Sequence, residues 1–133
     1  MAKEYRVKCS CGNVMNATPG QVCEECKKPV VLPSGGQVYL YRMGNFFGSA
    51  GKVGLYIDGE PYGYLGNREL LCIPLPYGTH NLHVAIGLSR DCRDYIATLT
   101  PENPIVYTKF YMKPGFWANS FVIEPTTKED LDL

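Results

Sequence analysis

The chain has 133 residues, 45% of them apolar, and its thirteen basic and thirteen acidic side chains cancel at neutral pH. That length allows one ordinary domain, or a small module plus a domain of about 100 residues, and the cancelled charge favours neither nucleic acid nor an anionic membrane. No apolar run approaches the roughly 20 residues that cross a bilayer as a helix, and the first eight residues, MAKEYRVK, lack the apolar stretch of a signal peptide, so a cytoplasmic protein is expected.

The first informative feature lies in residues 1–34. Four cysteines form two close pairs, Cys9-Ser-Cys11 and Cys23-Glu-Glu-Cys26, separated by eleven residues. This is the ligand pattern of a tetrahedral four-thiolate site, which folds a segment too short to hold a hydrophobic core of its own. In a secreted chain, six cysteines would be spread as a disulfide framework. Here four are clustered, while Cys72 and Cys92 stand alone in strand-like contexts; they read as buried free thiols of a reducing compartment, with a disulfide across the sandwich as the alternative. Zinc, structural and one per chain, is the expected cofactor, with iron as its chemical rival. Sulfur at all four positions leaves no place for a substrate, so no catalysis is expected at the metal. Lys3, Arg6, Lys8, Lys27 and Lys28 outnumber Glu4, Glu24 and Glu25 by two. Four thiolates on Zn²⁺ carry −2, so the loaded module would be near neutral and a poor match for nucleic acid.

Gly12 follows the second cysteine of the first pair, where the backbone of a metal-binding knuckle must turn back, and Lys27 follows that of the second. On these residues the segment Lys8-Cys-Ser-Cys-Gly12 … Val22-Cys-Glu-Glu-Cys26 resembles a zinc ribbon of the rubredoxin-knuckle type. It departs in one respect: its first pair is C-x-C, where these families usually use C-x-x-C.

Pro33-Ser34-Gly35-Gly36 reads as a short flexible joint. From Gln37 onward, short alternating runs broken by turn signals predict a β-sandwich or barrel. Val38 and Leu40 alternate with Tyr39 and Tyr41. Val53, Leu55 and Ile57 alternate with Gly54 and Tyr56, and Asp58-Gly59 predicts a hairpin turn before a returning strand at 62–65. Further strands are predicted at 69–75, 81–86, 94–99, 105–112 and 120–124, and no segment has a useful helical period. The polar, acidic tail 126–133 is expected to fray.

The loop 43–52 lacks the spacing of a phosphate-binding loop, since Phe46 and Val53 stand where Gly and Ser or Thr are needed. Phe46 and Phe47 in this loop, with Phe116 and Trp117 in a second one, either plug one end of the sandwich or form an apolar recognition patch there. His80 and His83 are three apart in a predicted strand and point to opposite faces, so they cannot act as a pair. Tyr39, Tyr41, Tyr56, Tyr107 and Tyr111 fall opposite the core residues and predict an exposed tyrosine ladder that could stack sugars or bases. Nothing offers an acid, base or nucleophile in a recognisable context, and an enzyme is not expected.

The run Val38-Tyr-Leu-Tyr-Arg42 … Phe46-Phe-Gly48 … Leu55-Tyr-Ile-Asp-Gly-Glu60 … Gly63-Tyr-Leu65 … Leu75-Pro-Tyr-Gly-Thr-His80 is similar to a bacterial β-sandwich family of unknown function. Its hairpin and turn also resemble PEGA and carboxypeptidase-regulatory-like domains. The resemblance spans residues 37–124 and implies an immunoglobulin- or prealbumin-like sandwich without known catalysis. Many of those relatives are exported; this chain has a ribbon where they carry a signal.

The expectation is therefore a mainly β protein: a zinc ribbon at 1–34, an antiparallel immunoglobulin- or prealbumin-like sandwich at 35–125, and an acidic tail at 126–133. The expected function is non-catalytic binding or scaffolding toward a protein partner or a second copy. The alternative is a small-ligand or carbohydrate binder using an aromatic face or loop cleft.

Overall fold

The computed structural model describes residues 4–44, 53–85, 92–113 and 120–133. These contain ten strands: β1 (Tyr5–Lys8), β2 (Val14–Ala17), β3 (Gly35–Arg42), β4 (Val53–Ile57), β5 (Glu60–Leu65), β6 (Leu70–Pro76), β7 (Gly78–Ala85), β8 (Cys92–Leu99), β9 (Ile105–Lys113) and β10 (Ser120–Pro125). There is no helix among the described residues, and so none long and apolar enough to cross a membrane. The protein is all β, as its alternating runs require.

β1 and β2 form a small hairpin. The other eight strands make two four-stranded sheets, ordered β10-β9-β3-β6 and β5-β4-β7-β8. The period of two sorts the side chains. Val38 and Leu40 of β3, Leu55 of β4, Ile73 of β6, and Leu82 and Val84 of β7 meet in one core shared by both sheets. Leu40, Leu55 and Leu82 are fully buried, each stabilising the fold by about 1.5–3 kcal/mol.

The sandwich departs from the expected antiparallel form at one place. β3 pairs in parallel with β9, from Gln37↔Ile105 to Arg42↔Phe110, so the first sheet is mixed. Parallel neighbours need a long crossover, and here the intervening chain supplies the whole second sheet and β6. The order also separates the two sandwich types that were expected. In an immunoglobulin domain the first, second, fourth and fifth strands share a sheet. Counting the sandwich strands from β3, the second and fifth (β4 and β7) lie in the sheet opposite the first and fourth (β3 and β6). That arrangement leaves the prealbumin-like alternative.

Gly35 and Gly36 are not a joint. Both lie in β3, opposite Pro76 and Leu75. A Cβ on Gly36 would overlap the Pro104 carbonyl oxygen, which accepts the Gln37 N–H at 2.8 Å. Glycine is there because two backbones meet. The tail is also ordered rather than frayed. Thr126 donates its N–H to the Tyr107 carbonyl, turns close through Leu131 and Thr127, and Lys109 reaches Asp130 at 3.3 Å.

At the same end of the sandwich, Asp58 and Gly59 both have positive φ, 53° and 83°, as a two-residue hairpin turn demands. Partial burial would raise Asp58, but the Asn81 N–H and the His80 ring outweigh it and hold the carboxyl below its ordinary value. Desolvation would lower His80. Its bonds to Asp58 (2.8 Å) and to the Pro76 carbonyl (2.8 Å) prevail and raise it.

Candidate metal centre

Each cysteine pair sits on the turn of a short hairpin. β1 and β2 pair from Tyr5↔Ala17 to Lys8↔Val14, and their connection carries Cys9 and Cys11. The Cys9 N–H donates to the Asn13 carbonyl at 2.7 Å, and the Gly12 N–H returns to the Cys9 carbonyl at 2.8 Å. The second pair is closed by the Val22↔Pro29 bridge and by the Lys27 N–H donating to the Cys23 carbonyl at 2.9 Å. Gly12 and Lys27, the residues after each pair, both have positive φ, 96° and 65°. The two turns are therefore alike, although only one has the glycine that this conformation favours.

The sulfur atoms of Cys9, Cys11, Cys23 and Cys26 all lie within 4.8 Å of one another. Cys9 and Cys26 are 3.4 Å apart and Cys11 and Cys23 3.7 Å, far longer than the roughly 2.05 Å of a disulfide bond. A sulfur tetrahedron around an ion at about 2.3 Å has edges of about 3.8 Å, so the cluster has the size of a four-thiolate metal shell. The four cysteines are positioned to bind a metal ion, and the geometry is compatible with zinc.

Backbone donors point at these sulfurs. The Cys11 N–H bonds Cys9 and lowers its pKa, reinforced by the Cys26 thiol. The Cys26 N–H bonds Cys23 and, despite desolvation, helps bring it down to about 6, together with the Glu25 N–H and the Asn13 side chain at 3.5 Å. Cys11 accepts the Asn13 N–H, which favours its thiolate, but desolvation and the three neighbouring sulfurs push it up to about 11. Four like charges cannot gather here unaided. A divalent cation removes that conflict, which is why this donor set fits a metal.

The hairpin packs on the sandwich. β1 runs against β6, and Arg6, only 7% exposed, reaches β5. Its Nη1 donates to the carbonyls of Tyr62 (3.0 Å) and Tyr64 (2.9 Å), its Nε donates to Asn16 Oδ1 (2.6 Å), and Nη2 lies 3.7 Å from Glu69. Burial lowers the Arg6 pKa while Glu69 opposes that shift. Gly63 (φ 82°) makes the approach possible, since a Cβ there would sit 3.0 Å from Nη1. β5 and β6 are edge strands of the two sheets, so the ribbon covers one open side of the sandwich. Arg6 is the residue that sequence reasoning missed. The only signal was a charged residue at the centre of the apolar-flanked run Tyr5-Arg6-Val7.

The other candidates fare differently. Phe46, Phe47, Phe116 and Trp117 lie outside the described residues. Cys72 is buried and outside any disulfide, as expected, with its thiol donating to Gln37 Oε1 at 3.5 Å, but Cys92 is exposed, because β8 is an edge strand and its position faces outward. The tyrosines do not form one ladder. Tyr39 is buried and stacks on Tyr107 at 5.2 Å outside the first sheet, whereas Tyr56 belongs to the second sheet. His80 and His83 bond separate carboxylates, Asp58 and Asp94. No family model, curated protein or solved structure matches the chain. The PEGA-like resemblance thus rests on its short motifs alone, and the fold and the metal cluster carry the functional argument.

Proposed function

We propose that this is a non-catalytic binding or scaffold protein in which a structural zinc ribbon braces one side of a β-sandwich interaction domain. The observation that supports this reading most directly is the convergence of four thiols on one point, in a hairpin pinned to β5 by Arg6. A shell filled by the protein offers no coordination position to a substrate. Zinc suits that role because it has no redox chemistry; iron in the same shell would make an electron carrier. Zinc would leave the ribbon near neutral, which argues for a protein partner or self-association over nucleic acid. A cytoplasmic setting would keep the thiols reduced.

Metal analysis of the purified chain tests the first half. One zinc per chain is expected, and its loss in the C23S/C26S double variant. A visible iron–thiolate absorption, or a folded ribbon holding no metal, would overturn the zinc assignment. Recognition is assigned to the aromatic loops of the sandwich. Replacing Phe47 and Trp117 together should abolish partner capture from native extract while leaving the thermal melt unchanged; undiminished capture would remove the loops from the reading.

A further inference from the structure

The outer face of the second sheet is built from unlike parts. On β4, Gly54 and Tyr56 both point outward, and the Tyr56 ring leans along the strand over Gly54. A Cβ at Gly54 would lie 3.5 Å from the ring Cε2 and 3.9 Å from the hydroxyl oxygen. Beside Gly54 on one flank stands Tyr64, 60% exposed, and on the other Ala85. The bare backbone of Gly54 thus seats a lowered aromatic ring, with the small Ala85 on its β7 flank.

Next to this platform is a polar rim. Tyr56, His83 and Asp94 are consecutive cross-strand partners. The His83 ring meets Tyr56 edge-on at 5.6 Å and bonds Asp94 Oδ1 through Nδ1 at 2.9 Å. Asn81 donates its amide to the same oxygen at 3.0 Å. With these bonds directed at Oδ1, the rim presents Asp94 Oδ2 and the Asn81 side-chain oxygen as acceptors, and the second Asn81 amide hydrogen as a donor. Tyr56, Gly59, Asn81, His83, Ala85 and Asp94 line a shallow depression of about 400 Å³.

The chemistry of this surface selects its ligand. The depression is open, so a ligand touches the aromatic ring from one side. A quaternary ammonium ion is better held by several rings enclosing it. A nucleotide would bring its phosphate toward the Asp94 carboxylate, which repels it. A pyranose ring has an apolar face for the tyrosine and equatorial hydroxyls that donate outward in its plane, toward the acceptors. We propose that this face of the second sheet is a saccharide-binding site, with Tyr56 as the stacking platform and Asp94, Asn81 and His83 as the hydrogen-bonding rim. The assignment deepens the binding reading above by giving it a ligand class, and it does not depend on the metal or the aromatic loops.

The test uses the full, metal-loaded chain. Maltotriose, cellotriose, chitotriose and tetramethylammonium are each titrated at millimolar concentration, followed by calorimetry and by the amide resonances of β4, β7 and β8. At least one trisaccharide should bind and move Tyr56, His83 and Asp94. Y56A and D94A should each weaken it at least tenfold with an unchanged melt, while Y107A, outside the first sheet, leaves affinity unchanged. Resonance shifts from tetramethylammonium but from no sugar would overturn the proposal. So would binding that survives Y56A, or no binding of any of the three sugars. Zinc stoichiometry and partner capture measured on the same preparation show whether the broader reading stands independently.

Discussion

Among the described residues the ribbon's core consists of five buried side chains, two of them the metal-site cysteines Cys9 and Cys23, whereas sixteen buried residues fill the sandwich. Val7, Ala17 and Val30 alone cannot offset the ordering of some thirty residues at about 1–2 kcal/mol of backbone entropy each. The sandwich needs no such help, because leucines and valines from two sheets face one another with almost no solvent between them. Burial holds the sandwich, whereas the ribbon, in the reading proposed above, is held by metal coordination. Between them lies Arg6, a buried cation whose partners belong to both.

Metal removal should break the comparison most sharply. Structural zinc supplies about 10 kcal/mol or more to a small module, so chelation or C23S/C26S should unfold residues 4–34 and leave the sandwich folded. Amide hydrogen exchange read strand by strand is the measurement. Protection lost throughout β3–β10 as well would mean that the two parts are one cooperative unit. The converse change is Leu82→Ala, expected to lower sandwich stability by about 2–5 kcal/mol in denaturant titration without altering zinc affinity.

Arg6→Met probes the junction. It retains the side-chain length but removes the bonds to Tyr62, Tyr64 and Asn16, for which a loss of about 1.5–3 kcal/mol is expected. Zinc should still bind, while β5 amides exchange faster. If their rates do not change, the guanidinium does not hold the two parts together.

The smallest effect is a pH dependence confined to the sandwich. His80 is raised above 6.5 in the folded state, so its contribution is complete below that pH and is lost as pH rises through the folded value. Asp58 is lowered below 3.8, so its contribution is complete above that pH and is lost as pH falls through the folded value. The pair should therefore stabilise most between these limits and weaken by less than about 1 kcal/mol toward alkaline pH. Comparing melting temperatures of the parent and His80→Gln from pH 5 to 9 checks this, and the variant should show the flatter profile.

Much of this was readable along the chain. The period of two in Val53-Gly-Leu-Tyr-Ile57 placed β4 with its correct bounds, and Asp58-Gly59 placed the turn after it. The cysteine spacing picked out the four thiols that converge, since two tight turns suffice to aim them at one point. Other features were hidden because their causes are not local. Gly35 and Gly36 look flexible until Pro104 and the β6 backbone are brought against them. The five outward tyrosines share a phase, but phase does not tell which sheet a strand joins.

The sequence by itself thus determined the β class, the inward direction of Val38, Leu40, Val53, Leu55 and Ile57, and the four cysteines that converge, because those follow from local geometry and close spacing. Only the tertiary structure decided that β3 lies parallel to β9, that Arg6 ties the ribbon to β5, and that Tyr56, His83 and Asp94 share one face. These depend on which distant segments become neighbours, and that choice is made by the packing of the whole core.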